Sequence, residues 1–367
     1  MRIAFASSSF DRHHRLRISI VEALRASGHE CKIFGLYFSN THVEFPDEAE
    51  VIRVDAEYRN FVSKKYQFNN IKKRYLDQIQ NFGPDCIVLM DPETLFIVTD
   101  FNFSNTTRTV YAVQEFHGFT THSDIFRRLW VYKTEQLAMF NLDHIVVLSN
   151  EMKQHMQNRY INTPTIEIVS NAYAQDWSKA VYDGQLHQSV NLESDKRILL
   201  YHGYFAPHRG LEYLADLSVN LPDDWHFVCM GWGPLKQYLE DHVSEKMTLI
   251  PPAAPERLND VISGASIGTI LYEPVNKNHT FSTPNKLFEY GAANVPMLVA
   301  NLPLIAKEVN TYDMGWVTDM KTGADENILA IFNPEKRNEI AQKSRNCLKF
   351  QTVQKNLPDL TPIILGH

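Results

Sequence analysis

"STPNKLFEYGAANVPMLVAN", residues 282–301, reads as a helix that runs straight into a buried strand. Ser282 or Thr283 can cap the helix, and Pro284 falls where a first-turn proline is tolerated. Asn294 is a left-handed terminator, and Pro296 opens an apolar run of strand type. A helix feeding such a strand is half of an α/β unit, so this stretch sets the class of the fold. It also contains an anomaly. The positive end of a helix dipole favours Asp or Glu in the first turn, yet this helix carries Lys286 there.

Outward from this point the same alternation recurs. "RILLYHG", "HFVCMG", "MTLI" and "IGTILY" precede it as further strands, separated by helical patterns. The first half repeats the scheme with "RIAFAS", "ECKIFGLY", "DCIVLM", "TVYAV" and "HIVVLS". Among its helices, "RLRISIVEALRASGH" is amphipathic and ends at Gly28. Strands alternating with amphipathic helices predict parallel sheets covered on both sides. The class is therefore α/β, with two Rossmann-like doubly wound domains facing each other across a cleft. Residues 1–172 form the first domain and 197–333 the second. The polar, aperiodic segment 173–196 joins them, and 334–367 is left as a terminal helix and tail.

Composition narrows the classes of function. The 367 residues are 44% hydrophobic and 22% charged, as in a soluble globular protein. A net charge of −7 disfavours nucleic acid as a partner. Cys31, Cys86, Cys229 and Cys347 are scattered without a CxxC pair and read as reduced thiols. "MRIAFASSSFDRHH" has too short an apolar run for a secretory signal, and no stretch reaches about 18 apolar residues. A cytoplasmic location is expected. No Asp-x-Asp and no His/Cys/Asp cluster with metal-ligand spacing occurs, so neither a metal nor another cofactor is expected.

The cation anomaly appears twice. In "LLYHGYFAPHRGLEYLADL", Gly203 closes a strand and Arg209–Gly210 stand at the next helix entrance. Helix N-termini bind anions through free N–H groups and the dipole. Arg209 and Lys286 make sense together if both helices converge on one diphosphate. The plainer alternative pairs Lys286 with Glu289 at i, i+3, worth about 0.2–0.5 kcal/mol, and leaves Arg209 solvated. A third strand end, Gly231-x-Gly233-Pro234 in "HFVCMGWGPLKQYL", favours the nucleotide diphosphate.

These stretches carry a resemblance. Through "HGYFAPHRGLEYL", "MGWGPL" and "PNKLFEYGAANVPML" the second half resembles the nucleotide-sugar-binding domain of retaining GT-B glycosyltransferases of glycosyltransferase family 4. The first half is similar to the same family through "SFDRHHRLRISIVEALRASGHECKIFGL", "VQEFHGF" and "HIVVLSNEMKQHM". The likeness spans about residues 1–320. It implies that Arg209 and Lys286 contact the donor diphosphate and Glu289 the ribose hydroxyls. Gly203, Gly231, Gly233, Thr283, Asn285 and Leu287 would complete the donor site. His117 would face the reacting sugar from the first domain. The helix near 334–350 would pack back on that domain. Many members carry a second glutamate eight positions before the Glu289 equivalent; here that position is Phe281. Thr280, Ser282 and Thr283 are then candidates for reading the sugar.

The function so implied is a metal-independent retaining glycosyltransferase. It would move a hexosyl group from a nucleoside diphosphate sugar, UDP or GDP type, to a saccharide or lipid-linked acceptor. Cell-surface polysaccharide or glycolipid synthesis is the implied setting. Asp11, Arg15 and Arg17 follow the first strand on the acceptor side. "YRNFVSKKYQFNNIKKRYLDQIQ" and "FRRLWVYK" interleave cations with aromatics, as for peripheral contact with anionic membrane on its inner face, or as a solvated helix face. Two rivals stay open. A sugar-nucleotide epimerase would use Asp91, Glu93 or Glu115 at first-domain strand ends. An inactive nucleotide-sugar-binding subunit would need no chemistry at all. A dinucleotide oxidoreductase is disfavoured, because "ASSSFD" has no GxGxxG after the first strand.

Overall fold

The computed structural model describes residues 1–8, 15–38, 50–54, 61–100, 107–116, 125–169, 184–254, 257–320, 339 and 361–364. The chain divides into two compact units, Met1–Ala174 with Val353–His367, and Gln175–Thr352.

The first unit is a seven-stranded parallel sheet. Its strands are β1 (Arg2–Ser7), β2 (Glu30–Phe38), β3 (Glu50–Val54), β4 (Cys86–Leu89), β5 (Arg108–Val113), β6 (His144–Val147) and β7 (Thr165–Ile168), in the spatial order β3-β2-β1-β4-β5-β6-β7. The second unit has six parallel strands: β8 (Arg197–Tyr204), β9 (Trp225–Trp232), β10 (Met247–Ile250), β11 (Ile267–Ile270), β12 (Met297–Ala300) and β13 (Gly315–Thr318). Their order is β10-β9-β8-β11-β12-β13. Both are doubly wound, and the order reverses between β1 and β4 and between β8 and β11. Ligands of such sheets bind beyond the carboxyl ends of the strands at that reversal.

The central strands are buried along nearly their whole length, as a sheet covered on both faces requires. Ile3, Phe5, Val88 and Val110 anchor one core. Leu199, Tyr201, Phe227 and Leu298 anchor the other. Ile363 and Ile364, from the tail, lie in the first core. Cys31, Cys86 and Cys229 are free thiols, and burial pushes the first two up to about 11 and about 12.

Each strand read from sequence is present. β3, β7 and β13 are not evident from the sequence, because "EVIRV", "TIEI" and "GWVT" are short and mix polar with apolar residues. They are edge strands, where half of each backbone faces no partner strand. Gly28 terminates its helix at φ 85° and Asn294 its own at φ 57°, as the left-handed terminator reading requires. The segment read as a connection contributes the helix Gln185–Ser189 to the second unit, with Leu186 and His187 buried. The 334–350 helix falls outside the described residues except for Glu339.

Candidate functional site

The second unit brings its two anomalous cations to the reversal point. The helix Asn285–Ala292 starts one residue later than a Thr283 cap would place it and two later than a Ser282 cap. Pro284 is its N-cap, with extended backbone and no side-chain cap. Its first-turn N–H groups are therefore not taken by a capping side chain. Lys286, in that turn, is 5% exposed. Its Nζ lies 3.4 Å from the centroid of the Tyr201 ring on β8 and 5.9 Å from that of Tyr272, just past β11.

Nζ has no hydrogen-bond partner among the described residues. The i, i+3 pair with Glu289 is not made. Glu289, itself buried, places Oε2 3.4 Å from His202 Nε2. His202 in turn packs edge-on against Tyr290, with centroids 4.8 Å apart. Burial, followed by the charge of Arg209, drives the Lys286 pKa well below its ordinary value; Glu289 opposes this. A cation held on the faces of aromatic rings keeps part of its stabilisation, but it lacks an anion.

Arg209 is half-buried at the entrance of the helix Leu211–Val219, whose N-cap is Gly210 at φ 74°. Its guanidinium donates to Tyr272 Oη at 3.4 Å and stands 5.2 Å from that ring's centroid and 5.9 Å from the Tyr204 centroid. The loop holding it is tied to the segment after β11. The Glu273 N–H donates to the His208 carbonyl at 3.0 Å, and the Glu273 carboxylate lies 2.9 Å from His208 Nδ1. Two cations and two helix N-termini thus converge around Tyr201 and Tyr272. Each repels the others, and an oxyanion would satisfy all four.

The glycines acquire more specific reasons. At Gly203, φ 113°, an added Cβ would come 3.2 Å from Lys286 Cε, so this position makes room for the lysine stem. At Gly231 a Cβ would lie 1.9 Å from the Gly203 carbonyl oxygen, and at Gly233 2.5 Å from that of Phe205. Both are thus required by backbone packed against backbone. The Phe205 N–H donates to Trp232 O at 2.6 Å and the Leu235 N–H to Phe205 O at 3.0 Å, stapling the two strand-end loops together. Tyr204 and Trp232 emerge there half-exposed, their rings edge-to-face at 6.1 Å.

Phe281 follows the helix Lys277–Thr280, which Asn276 caps through the His279 N–H. Thr280 donates its hydroxyl to Asn276 O at 2.9 Å, whereas the buried Ser282 hydroxyl has no partner among the described residues. Leu287 is buried in the core-facing side of its helix. Tyr201, Tyr272, His202, Tyr204 and Trp232 were missed from sequence. Four of them lie on β8 and β9 and Tyr272 just past β11, and only the sheet register reveals which aromatics reach the carboxyl end.

In the first unit Arg17 does not stand open toward an acceptor. It is 6% exposed and its groups are engaged. Nε donates to Gln114 Oε1 at 2.8 Å, one terminal nitrogen donates to Ser7 Oγ at 3.0 Å, and the other lies 3.5 Å from Asp91 Oδ1. Asp91 also accepts from Ser7 Oγ at 2.5 Å and from the Ser8 N–H at 2.7 Å. This is a closed ionic network binding the ends of β1, β4 and β5. It also occupies Asp91, the first acid considered for an epimerase. Glu93 takes a hydrogen bond from Arg127 at 3.2 Å, and burial raises its pKa. His117, Asp11 and the Arg15 side chain lie outside the described residues, as do the side chains of 51–68. Lys72, in the basic segment, is bound to Asp100 at 2.5 Å.

The sucrose-phosphate synthase of Thermosynechococcus elongatus superposes with a TM-score of 0.75 at 14% identity, over 99% of this chain and 98% of that one. Anabaena HepE in complex with UDP-glucose gives 0.73 at 13% identity, over the whole of both chains. The chain has the GT-B fold. At the level of sequence, the GPI3 subunit of the phosphatidylinositol N-acetylglucosaminyltransferase of Saccharomyces cerevisiae is 25% identical over 190 residues. That match takes in 47% of this chain and 41% of the relative, so it spans about two fifths of the relative's length. No protein-family model matches the chain. No helix among the described residues is long and apolar enough to cross a membrane.

Proposed function

We propose that the protein is a retaining glycosyltransferase that takes a hexosyl group from a nucleoside diphosphate sugar. The observation that carries this is Lys286, a buried ammonium without a hydrogen-bond acceptor among the described residues, placed with Arg209 at the reversal point of a doubly wound sheet. A diphosphate supplies the missing negative charge. Support comes from the sugar nucleotide bound by HepE and from the transferase to which the GPI3 subunit belongs.

In this reading Lys286 and Arg209 stabilise the charge that grows on the leaving diphosphate, without a metal ion. The bond from the anomeric carbon to the phosphate oxygen breaks, and one from the acceptor hydroxyl oxygen forms on the same face. The acceptor's proton passes to the departing phosphate oxygen. Glu289 accepts the ribose hydroxyls, held by His202, and Ser282 takes over the sugar contact that Phe281 does not make. Thr283, Asn285, Gly231 and Gly233 line the donor, and His117 orients the sugar. A saccharide or lipid-linked molecule is the acceptor. An inactive binding subunit would share all of these donor contacts.

The test is a thermal-shift panel of UDP, GDP, ADP, dTDP and CMP with and without EDTA, followed by product assay with the matching sugar nucleotides. A ligand at 100 times its dissociation constant adds about 2.7 kcal/mol. Selective stabilisation by one diphosphate, unchanged by EDTA and followed by turnover, is expected. Stabilisation that vanishes with EDTA refutes the metal-free mechanism. Stabilisation without turnover for any donor favours the inactive subunit.

A further inference from the structure

The two loops that flank the reversal point of the second sheet meet residue by residue. β8 and β11 are neighbours, and the chain beyond them carries His208–Arg209–Gly210 and Leu271–Tyr272–Glu273. Gly210 packs so closely on Leu271 that an added Cβ would come 2.4 Å from that residue's Cβ and carbonyl oxygen. Arg209 donates to Tyr272 Oη and stands 5.2 Å from the centroid of its ring. The Glu273 N–H donates to the His208 carbonyl at 3.0 Å, and Glu273 Oε2 accepts from His208 Nδ1 at 2.9 Å. The contacts run in antiparallel order, 210 with 271, 209 with 272 and 208 with 273. The outermost rung joins residues 65 positions apart through backbone and side chain together.

That rung is built on a strained residue. His208 has φ 63°, in the left-handed region that glycine alone enters without cost. With Gly210 at φ 74°, the backbone is left-handed on both sides of Arg209. A residue other than glycine keeps such a conformation only where its surroundings over-determine it. The two bonds to Glu273 do so here. Glu273 is anchored in its turn: its carbonyl accepts from the Val275 N–H at 2.8 Å and lies 3.1 Å from His279 Nδ1.

What this clasp sets is the direction of Arg209. The ring on which the guanidinium rests is also 5.9 Å from Lys286 Nζ, so the loop brings one cation close to another. Like charges so placed repel, and an untethered loop would relieve the repulsion by turning Arg209 away. The His208 and Glu273 side chains are 46% and 45% exposed, so their pair adds little to the stability of the fold. Its effect falls on one loop, and that loop carries the arginine.

We propose that His208 and Glu273 are positioning residues, whose clasp holds Arg209 toward a bound diphosphate. The inference rests on the nucleotide reading of this site, and both residues act through Arg209. The experiment is calorimetric titration of wild type, Glu273→Gln, Arg209→Met and the double variant with UDP and with inorganic pyrophosphate. Glu273→Gln should weaken binding of both probes about two- to fivefold, the worth of an exposed ion pair, while its urea midpoint stays close to that of wild type. In the Arg209→Met background the same substitution should cause no further loss, because residues that act through one another are not additive. Should Glu273→Gln fail to fold, His208→Gly takes φ 63° without strain, removes the ring from the other side of the clasp and should give the same loss. Unchanged affinity in Glu273→Gln overturns the clasp alone, as does an equal loss with and without Arg209. Wild type that binds neither probe would overturn the diphosphate reading itself, and the clasp with it.

Discussion

Arg17 and Lys286 are both buried cations near the reversal points of the two doubly wound sheets, Arg17 on the helix that follows β1 and Lys286 on the helix Asn285–Ala292 after β11. Their surroundings differ completely. Arg17 lies among Asp91, Ser7 and Gln114, which together offer its guanidinium a carboxylate, a hydroxyl and an amide oxygen. Lys286 lies on the Tyr201 ring with no acceptor for its Nζ among the described residues. Burying a charge is unfavourable unless it is paired and hydrogen-bonded. The first unit settles that requirement within the fold. The second leaves it open among the described residues, as expected of a site that would receive an anion.

The widest separation between the two should appear in stability. Arg17→Met strands the Asp91 carboxylate in the interior, and urea unfolding should show a loss of about 3–5 kcal/mol. Lys286→Met removes an ammonium that has no hydrogen-bond acceptor among the described residues, and should leave stability unchanged or raise it. Equal destabilisation by both substitutions would erase the distinction.

Glu135 sharpens the comparison from the other side, because its partners are neutral hydroxyls. Burial raises its pKa to about 7, with the bonds from Tyr160 and Tyr111 opposing. Between about pH 4.5 and 7 the unfolded chain gives up a proton that the native carboxyl keeps. This group's contribution is therefore full below that window and declines as pH rises through it, by up to about 3 kcal/mol. Glu135→Gln should remove that decline, as read from urea midpoints across the window. A slope unchanged by the substitution would show that another group produces it.

The smallest effect is a fraction of a proton. With the Lys286 pKa driven down by burial and Arg209, an arriving diphosphate should raise it again. Above the depressed value, binding then takes up protons, and affinity falls with rising pH. Calorimetry in buffers of different ionisation heat measures this directly. Proton release on binding would have the wrong sign.

Much of this arrangement could be read from the residues. The central strands are continuous apolar runs, and Lys286 and Arg209 stood out because they oppose the helix dipole at their own positions. Edge strands such as "TIEI" and "GWVT" were silent, since a strand with one neighbour needs no continuous apolar pattern. The roles of Gly231 and Gly233 were half legible. Their spacing announced a tight turn, but only the register Gly203↔Gly231 shows that the close approach is made by the chain's own backbone. A cation after the first strand suggests a ligand, so the sequence points Arg17 toward the acceptor side. Its true partners, Asp91 and Gln114, lie 74 and 97 positions away and meet it only through strand order.

The most direct measurement is a calorimetric titration of wild type and Lys286→Met with whichever nucleoside diphosphate stabilises the protein most. Affinity should fall about 10- to 100-fold in the variant, the loss of one charged hydrogen bond of about 1.5–3 kcal/mol, while its unfolding curve stays at or above that of wild type. Equal affinity in the two proteins would contradict the assignment of Lys286 to the diphosphate.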